Sequence, residues 1–583
     1  MLKRLIQSVR EYRKASILAP FYICIEVILD VLIPWLMADM IDKGFYANNG
    51  EGDMGYVVKN GIILLIIAAA SMVFGALSGK YAAIASCGFA KNLRHDMYYN
   101  VQRFSFSNID KFSNASIITR LTTDVTNVQM AYQMLVRMGM RSPAMLVFSL
   151  IVAFRIHSGL ALVFAVVLPV LVVGLYLIMT SVHSIFKNAF KKYDKLNSVV
   201  QENVHGVRVV KSFVRENYEV EKFDNISGEI YKDMSRAEKI LALNGPLMQF
   251  CMYTCTLILS FLGARVIVSS GQTELLTGEL TSLIAYASQI LMSLMGLSMI
   301  FVTLTISRAS MERIYEILSE ESDIADGENG VDVVADGSIE FDNVSFAYSE
   351  TADKNSLDKI NLKIESGMTV GILGGTGSSK STLVQLIPRL YDVREGSVKV
   401  GGRDVREYNL EALRNEVAMV LQKNVLFSGS IKDNLRWGNE NATEEEMIHA
   451  CKLASAHDFI ESFPDGYDTH IEQGGANVSG GQKQRLCIAR ALMKKPKIII
   501  LDDSTSAVDM KTDALIRKAF ATEIPDTTKI VIAQRVASVM ESDLIVVMDD
   551  GKIAASGTHE ELMENSEIYR EVYTSQVKGG EEE

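Results

Sequence analysis

The sequence predicts a multidomain membrane protein: a domain of six apolar spanning helices followed by a water-soluble α/β domain. Three observations predict it. Mean hydropathy is +0.16 while 22% of residues are charged, the mixture that a membrane half joined to a soluble half produces. The long apolar runs all fall before about residue 310. From Ile339 onward, short β-rich runs alternate with helical stretches. At 583 residues the chain is also too long for a single domain.

The apolar runs cover about 16–41, 57–80, 139–156, 159–182, 246–269 and 279–305. Each approaches or exceeds the roughly 20 residues that cross a bilayer. The third and fourth are the least cleanly separated, by Arg155, Ile156, His157 and Ser158. The connections near 42–56, 155–158 and 270–278 are short and poor in Lys and Arg. Those near 81–138 and 183–245 are long, and the second carries Lys187, Lys191, Lys192, Lys195, Arg208, Lys211 and Arg215. The positive-inside rule places both long segments and both chain ends in the cytoplasm. Their length and periodicity predict helices that leave the membrane, turn and return. The first run follows Lys3, Arg4, Arg10, Arg13 and Lys14 with no cleavable signal pattern, so it reads as a retained span in the plasma membrane.

The predicted organisation is a transmembrane domain at 1–317, an acidic linker at 318–338, an α/β domain at 339–575 and a disordered tail at 576–583. The linker rests on the acidic, Gly-containing run SEESDIADGENG, and the tail on KGGEEE. A net charge of −12 argues against a nucleic-acid partner, which calls for a basic surface. Cys24, Cys87, Cys251, Cys255, Cys451 and Cys487 form no CxxC pair and no His/Cys cluster, which fits free thiols in a reducing compartment.

The chemistry is carried by the α/β domain. Gly374-Gly375-Thr376-Gly377-Ser378-Ser379-Lys380-Ser381-Thr382 follows a strand and opens a helix, the setting of a phosphate-binding loop. Lys380 is placed to contact β and γ phosphates, and Ser381 to ligate Mg²⁺. The strict pattern has Gly before the Lys, where Ser379 stands here. The run Lys497-Ile-Ile-Ile-Leu-Asp502-Asp503 reads as a buried strand ending in two carboxylates, and Asp502 can hold the nucleotide's Mg²⁺. Between them, Ser479-Gly480-Gly481-Gln482 opens a helix and forms a second anion site. One nucleotide does not need two such loops in one chain. Two chains arranged head to tail do.

With these residues the chain resembles the ABC transporter family, and the resemblance runs along its whole length. The SGGQ run about twenty residues before Asp502 carries most of it. The resemblance implies a six-helix exporter domain joined to a P-loop ABC ATPase, with ATP and Mg²⁺ as its ligands. It implies that Tyr348 stacks on adenine and that Gln422 is the Q-loop residue sensing Mg²⁺. It places Asp509, in Ser506-Ala-Val-Asp509, in the D-loop, Gln473 where exporters usually have Glu, and Gln534 at the switch-histidine position. The exporter frame also implies two coupling helices, near Asp110–Ser116 and Val209–Glu216, that transmit ATPase closure to the spanning helices.

Three departures fall in one composite site. The catalytic Glu position holds Asp503, whose carboxylate is pulled back by about 1.5 Å, one bond length. Misplacement by about 1 Å can cost about a hundredfold in rate. Gln534 cannot take a charge or shuttle a proton near neutral pH. Ser379 adds a Cβ where backbone approaches phosphate. The expectation is a site that binds Mg-ATP and hydrolyses it slowly. A homodimer would hold two such sites, yet Ser479–Gln482 and Asp509 are intact. The expected partner is therefore a second, different half-transporter, as in bacterial heterodimeric multidrug-type exporters with one degenerate site. An ATP-gated channel and a nucleotide-sensing regulatory subunit are the alternative readings.

In the first span, Glu26 and Asp30 share one helix face. Three readings stand: a cavity lining that favours cationic cargo, pairing with a buried Arg or Lys on a neighbouring or partner helix, or a helix that sits shallower in the membrane. Met292, Met295 and Met299, with Met248 and Met252, suit either a polyspecific cavity or plain packing. The cargo itself is unreadable beyond a small, lipid-like or peptide molecule.

Overall fold

The computed structural model describes residues 1–45, 52–326, 330–349, 352–504 and 507–580. The chain divides into two compact units, Met1–Gln102 with Ser113–Glu320, and Arg103–Phe112 with Glu321–Glu583.

Among the described residues, six helical stretches are long and apolar enough to cross a membrane. The helices are α1 (Arg13–Met40), α2 (Met54–Gln102), the short α3 (Phe106–Phe112) that belongs to the second unit, α4 (Val125–Ile156), α5 (Ser158–His205), the short α6 (Val207–Ser212), α7 (Glu216–Leu241), α8 (Asn244–Ser270) and α9 (Thr277–Ser319). The 49 residues of α2 correspond to about 74 Å of rod, against about 30 Å of bilayer hydrocarbon. More than half of that helix therefore extends beyond the apolar layer. The break between α4 and α5 lies at His157, whose backbone is extended. Its Nδ1 accepts the N–H of Leu160 at 3.1 Å, capping α5.

In the first unit α1 packs against α2, α4 and α9. Its buried face, Ala19, Ile23, Val27 and Val31, repeats every four residues. Small residues on α2, Ser78, Ala82, Ala85 and Ser86, are fully buried and let helices approach closely. Ser78 donates to the carbonyl of Ala19 at 3.0 Å. The two acids singled out in the sequence are paired: Arg141 of α4 binds Glu26 and, at 2.9 Å, Asp30. Ser71 of α2 adds a bond to Asp30 at 2.6 Å. The two short helices expected to couple the domains begin earlier than expected, at Phe106 and Val207. Ser113, at φ 55, ends the first, and its side chain caps the helix that follows.

The second unit contains β1 (Ile339–Phe346), β2 (Leu357–Ile364), β3 (Thr369–Gly374), α10 (Lys380–Gln385), β4 (Glu395–Val400), β5 (Arg403–Asp404), β6 (Val417–Val420), α11 (Gly480–Leu492), β7 (Ile498–Asp502), α12 (Met510–Glu523), β8 (Thr528–Ile532), β9 (Leu544–Asp549), β10 (Lys552–Gly557) and α13 (Glu567–Gly580). One sheet has the order β2-β1-β4-β5 and is antiparallel; the other has the order β10-β9-β3-β8-β7-β6. In the second sheet β9, β3, β8, β7 and β6 run parallel. All five residues of β7 and of β8 are buried, as strands covered on both faces require.

The linker and tail differ from expectation at their ends. Val334, in the acidic linker, is buried against the soluble unit's core. The tail expected to be disordered from 576 is helical to Gly580; 581–583 lie outside the described residues. The helix persists because Tyr569, Val572 and Tyr573 anchor one face of α13 on the core, which outweighs the polar composition that follows.

Candidate nucleotide site

The parallel register assembles the motifs. In β3, β8 and β7 the residues Ile372, Ile532 and Asp502 lie side by side. The loop after β3, the Asp after β7 and the Gln after β8 therefore emerge at one carboxyl edge, where α/β sheets bind ligands. Segments separated by more than a hundred residues become neighbours through strand order alone.

The loop 374–379 wraps the start of α10. Gly374 has φ 154, and a Cβ there would stand 2.3 Å from the Met548 carbonyl oxygen. Ser378 is buried and donates to the Gly375 carbonyl at 2.9 Å. Lys380 Nζ donates to the carbonyls of Gly374 at 2.9 Å and Gly375 at 2.7 Å. Burial pushes its pKa below the usual lysine range. Ser379 adopts a left-handed backbone, φ 68 and ψ 26, which glycine takes freely and serine does not. Gly375, Thr376 and Gly377 complete the loop.

Ser381 Oγ bonds Asp502 Oδ1 at 3.0 Å. Burial pushes the Asp502 carboxyl up, and the Ser381 bond opposes that shift. Asp503 follows at φ 49, its N–H bonded to the Ile532 carbonyl at 3.1 Å. Its Oδ2 accepts from Gln534 Nε2 at 2.9 Å, and Gln422 bonds it as well. Burial raises the Asp503 pKa, and these two amides offset the rise only in part. Tyr348, half-exposed, shares a 2.9 Å hydrogen bond with Thr382 of α10. Its ring meets Phe346 and Tyr391 edge-on, at 5.0 and 5.3 Å.

A second cluster forms at α11. Ser479 and Gln482 build a capping box: the Ser479 hydroxyl accepts the Gln482 N–H at 3.3 Å, and Gln482 Oε1 accepts the Ser479 N–H at 2.9 Å. Gly480 lies beside Ala507, and a Cβ on Gly481 would stand 2.8 Å from the Ala507 carbonyl oxygen. Asp509 caps α12, accepting from the N–H of Thr512 at 3.0 Å and its hydroxyl at 2.7 Å. Ser506 lies outside the described residues. Gln473 begins a single helical turn, Gln473–Gly475.

Sequence reasoning missed three residues at these sites. Gln484 accepts the Ala507 N–H at 3.0 Å, fixing that loop against α11. Tyr391 joins Tyr348 to α3, donating to Asp110 at 2.8 Å. Gln576 bonds the Gln534 segment. No local pattern marks any of them, because each matters only through a partner distant in sequence.

Residues 16–294 match the family described as ABC transporter transmembrane region, and 357–506 match the ABC transporter family. The chain is 34% identical to an uncharacterized ABC transporter ATP-binding protein, YfiB of Bacillus subtilis, with 99% of this chain and 98% of that protein covered. It is 30% identical to an ATP-dependent lipid A-core flippase of Desulfotalea psychrophila, with 99% of each covered. The structure of a bacterial Atm1-family ABC exporter with ATP bound superposes with a TM-score of 0.82 at 22% identity, covering 97% of this chain and 98% of that one. The chain therefore belongs to the ABC transporters, as a multi-pass, ATP-hydrolysing exporter-type member that carries its membrane and ATPase domains on one polypeptide.

Proposed function

We propose that this chain is one half of a heterodimeric exporter in the plasma membrane, and that its own nucleotide site retains ATP while the partner's site hydrolyses it quickly. The observation that carries this reading is the Asp503–Gln534 pair. A short carboxylate and an uncharged amide, bonded at 2.9 Å, stand where a general base and a titratable switch residue belong. The binding parts are complete by contrast. A hydroxyl and a carboxylate 3.0 Å apart, Ser381 and Asp502, are the hard oxygen donors that suit Mg²⁺, whose charge would neutralise the phosphates. Lys380 is poised among loop carbonyls to turn to phosphate, and Tyr348 is half-exposed for adenine.

The capped Ser479–Gln482 turn and Asp509 then serve the nucleotide of the partner, and α3 and α6 act as coupling helices, with the ATPase domain and both termini in the cytoplasm. The flippase relative supports a lipid-like or amphipathic cargo. One guanidinium bridges both carboxylates of the Glu26–Arg141–Asp30 triad and leaves a single net negative charge, so we assign it to helix packing rather than to a cationic cavity. Turnover at this chain's site tests the reading. Asp503→Glu with Gln534→His is expected to raise it about tenfold to a hundredfold. Equal rates for the parent and the double variant would sink the proposal.

A further inference from the structure

Outside the motifs, the last helix makes one contact with the site that packing does not require. Tyr569, Val572 and Tyr573 form the stripe that seats α13 on the core. Gln576 is next on that stripe, by the spacing of three and four residues that aligns a helix face. It is exposed, so burial does not hold it in place. Its Nε2 donates to the Gln534 carbonyl at 2.8 Å and its Oε1 accepts the Val536 N–H at 2.8 Å. One side-chain amide thus grips the backbone on both sides of Arg535. The same loop carries the Gln534 side chain to Asp503.

We propose that Gln576 is a positioning residue for the switch loop, and that α13 fixes where Gln534 meets the nucleotide site. The inference rests on Gln534 and Asp503 belonging to that site. Two bonds to one planar amide define both the distance and the rotation of the loop, which a single bond does not. Without them the segment keeps its strand end, the buried Val536 side chain and the turn bonds to the Arg535 and Val536 carbonyls, but nothing else holds the Gln534 carbonyl and the Val536 N–H together, and the 2.9 Å contact to Asp503 loses that support. Helix α13 becomes a control point for the ATP site, and anything that lifts it would loosen the switch.

The test uses the assembled full-length transporter in lipid nanodiscs, with Gln576→Met, which keeps length and loses both bonds, and Gln576→Glu, which keeps only the acceptor. The expected result is faster amide exchange at Val536 in the Met variant. With the partner's site silenced so that only this chain's site turns over, kcat should change about threefold to tenfold at unchanged KM, with a smaller effect for Glu. In a Gln534→Ala background the Met substitution should add nothing further. Unchanged exchange at Val536, or an equal kcat change in both backgrounds, overturns the clamp. Gln534→Ala leaving turnover untouched overturns instead the assignment of Gln534 to the site.

Discussion

Ser379 is the residue where backbone and side chain disagree most openly. Its left-handed φ of 68 costs a non-glycine residue about 1 kcal/mol, and its hydroxyl makes no capping bond that would offset the cost. Ser379→Gly is expected to raise the unfolding midpoint of the ATPase domain by an amount equivalent to up to about 1 kcal/mol, read by thermal melting of the detergent-solubilised protein. A lower midpoint would show that the serine is accommodated. Gln534 carries a prediction of another kind. A glutamine amide does not titrate near neutral pH, so Gln534→His should give turnover at this chain's site a new inflection at about pH 6.5. A pH profile superposable on the parent's would place position 534 away from the reaction. Lys380, Ser381 and Asp502 were legible in the sequence because phosphate and Mg²⁺ chemistry demands those residue types in a short, fixed string. Gln576 was not. It falls where composition suggested a disordered tail, and its role exists only through Gln534, 42 positions away.

At the scale of elements, the six spans were legible from apolar length, and the α/β order from the change of period at Ile339. The turn at α3 was displaced by a few residues because no glycine or proline punctuates it; Ser113, at φ 55, ends it through its backbone conformation alone. The turn at α6 does carry a glycine, Gly206, directly before Val207. The pairing of α1 with α4 was half legible. Glu26 and Asp30 announced a partner, and Arg141 stood inside the third apolar run, yet only helix packing matched them. Arg141→Met should leave two carboxylates uncompensated between α1, α2 and α4. The cost for breaking a buried pair of this kind is about 3–5 kcal/mol. Loss of folded protein by size-exclusion of the detergent-solubilised variant checks it. Adding Glu26→Gln and Asp30→Asn should restore most of the yield, because the stranded charge is then gone. If the triple variant fares no better than Arg141→Met, the ion triad does something other than pair.

For the whole molecule, the expectation is asymmetry. Purified alone, the chain should bind ATP and turn it over slowly; joined to a partner with Glu and His at the positions of Asp503 and Gln534, the pair should show substrate-stimulated ATPase. Vigorous transport-linked ATPase from this chain alone would remove the need for a second kind of subunit. The 49-residue helix α2 has a mechanical consequence of its own. A continuous rod of about 74 Å, tilted by about 10° at one end, carries the other through about 13 Å. Four residues past that end, α3 begins. With the rod pivoted near its middle instead, the same tilt moves each end by about 6 Å, half that arc. The stiffness of this rod, rather than any single contact along it, sets how far a displacement at one end is felt at the other.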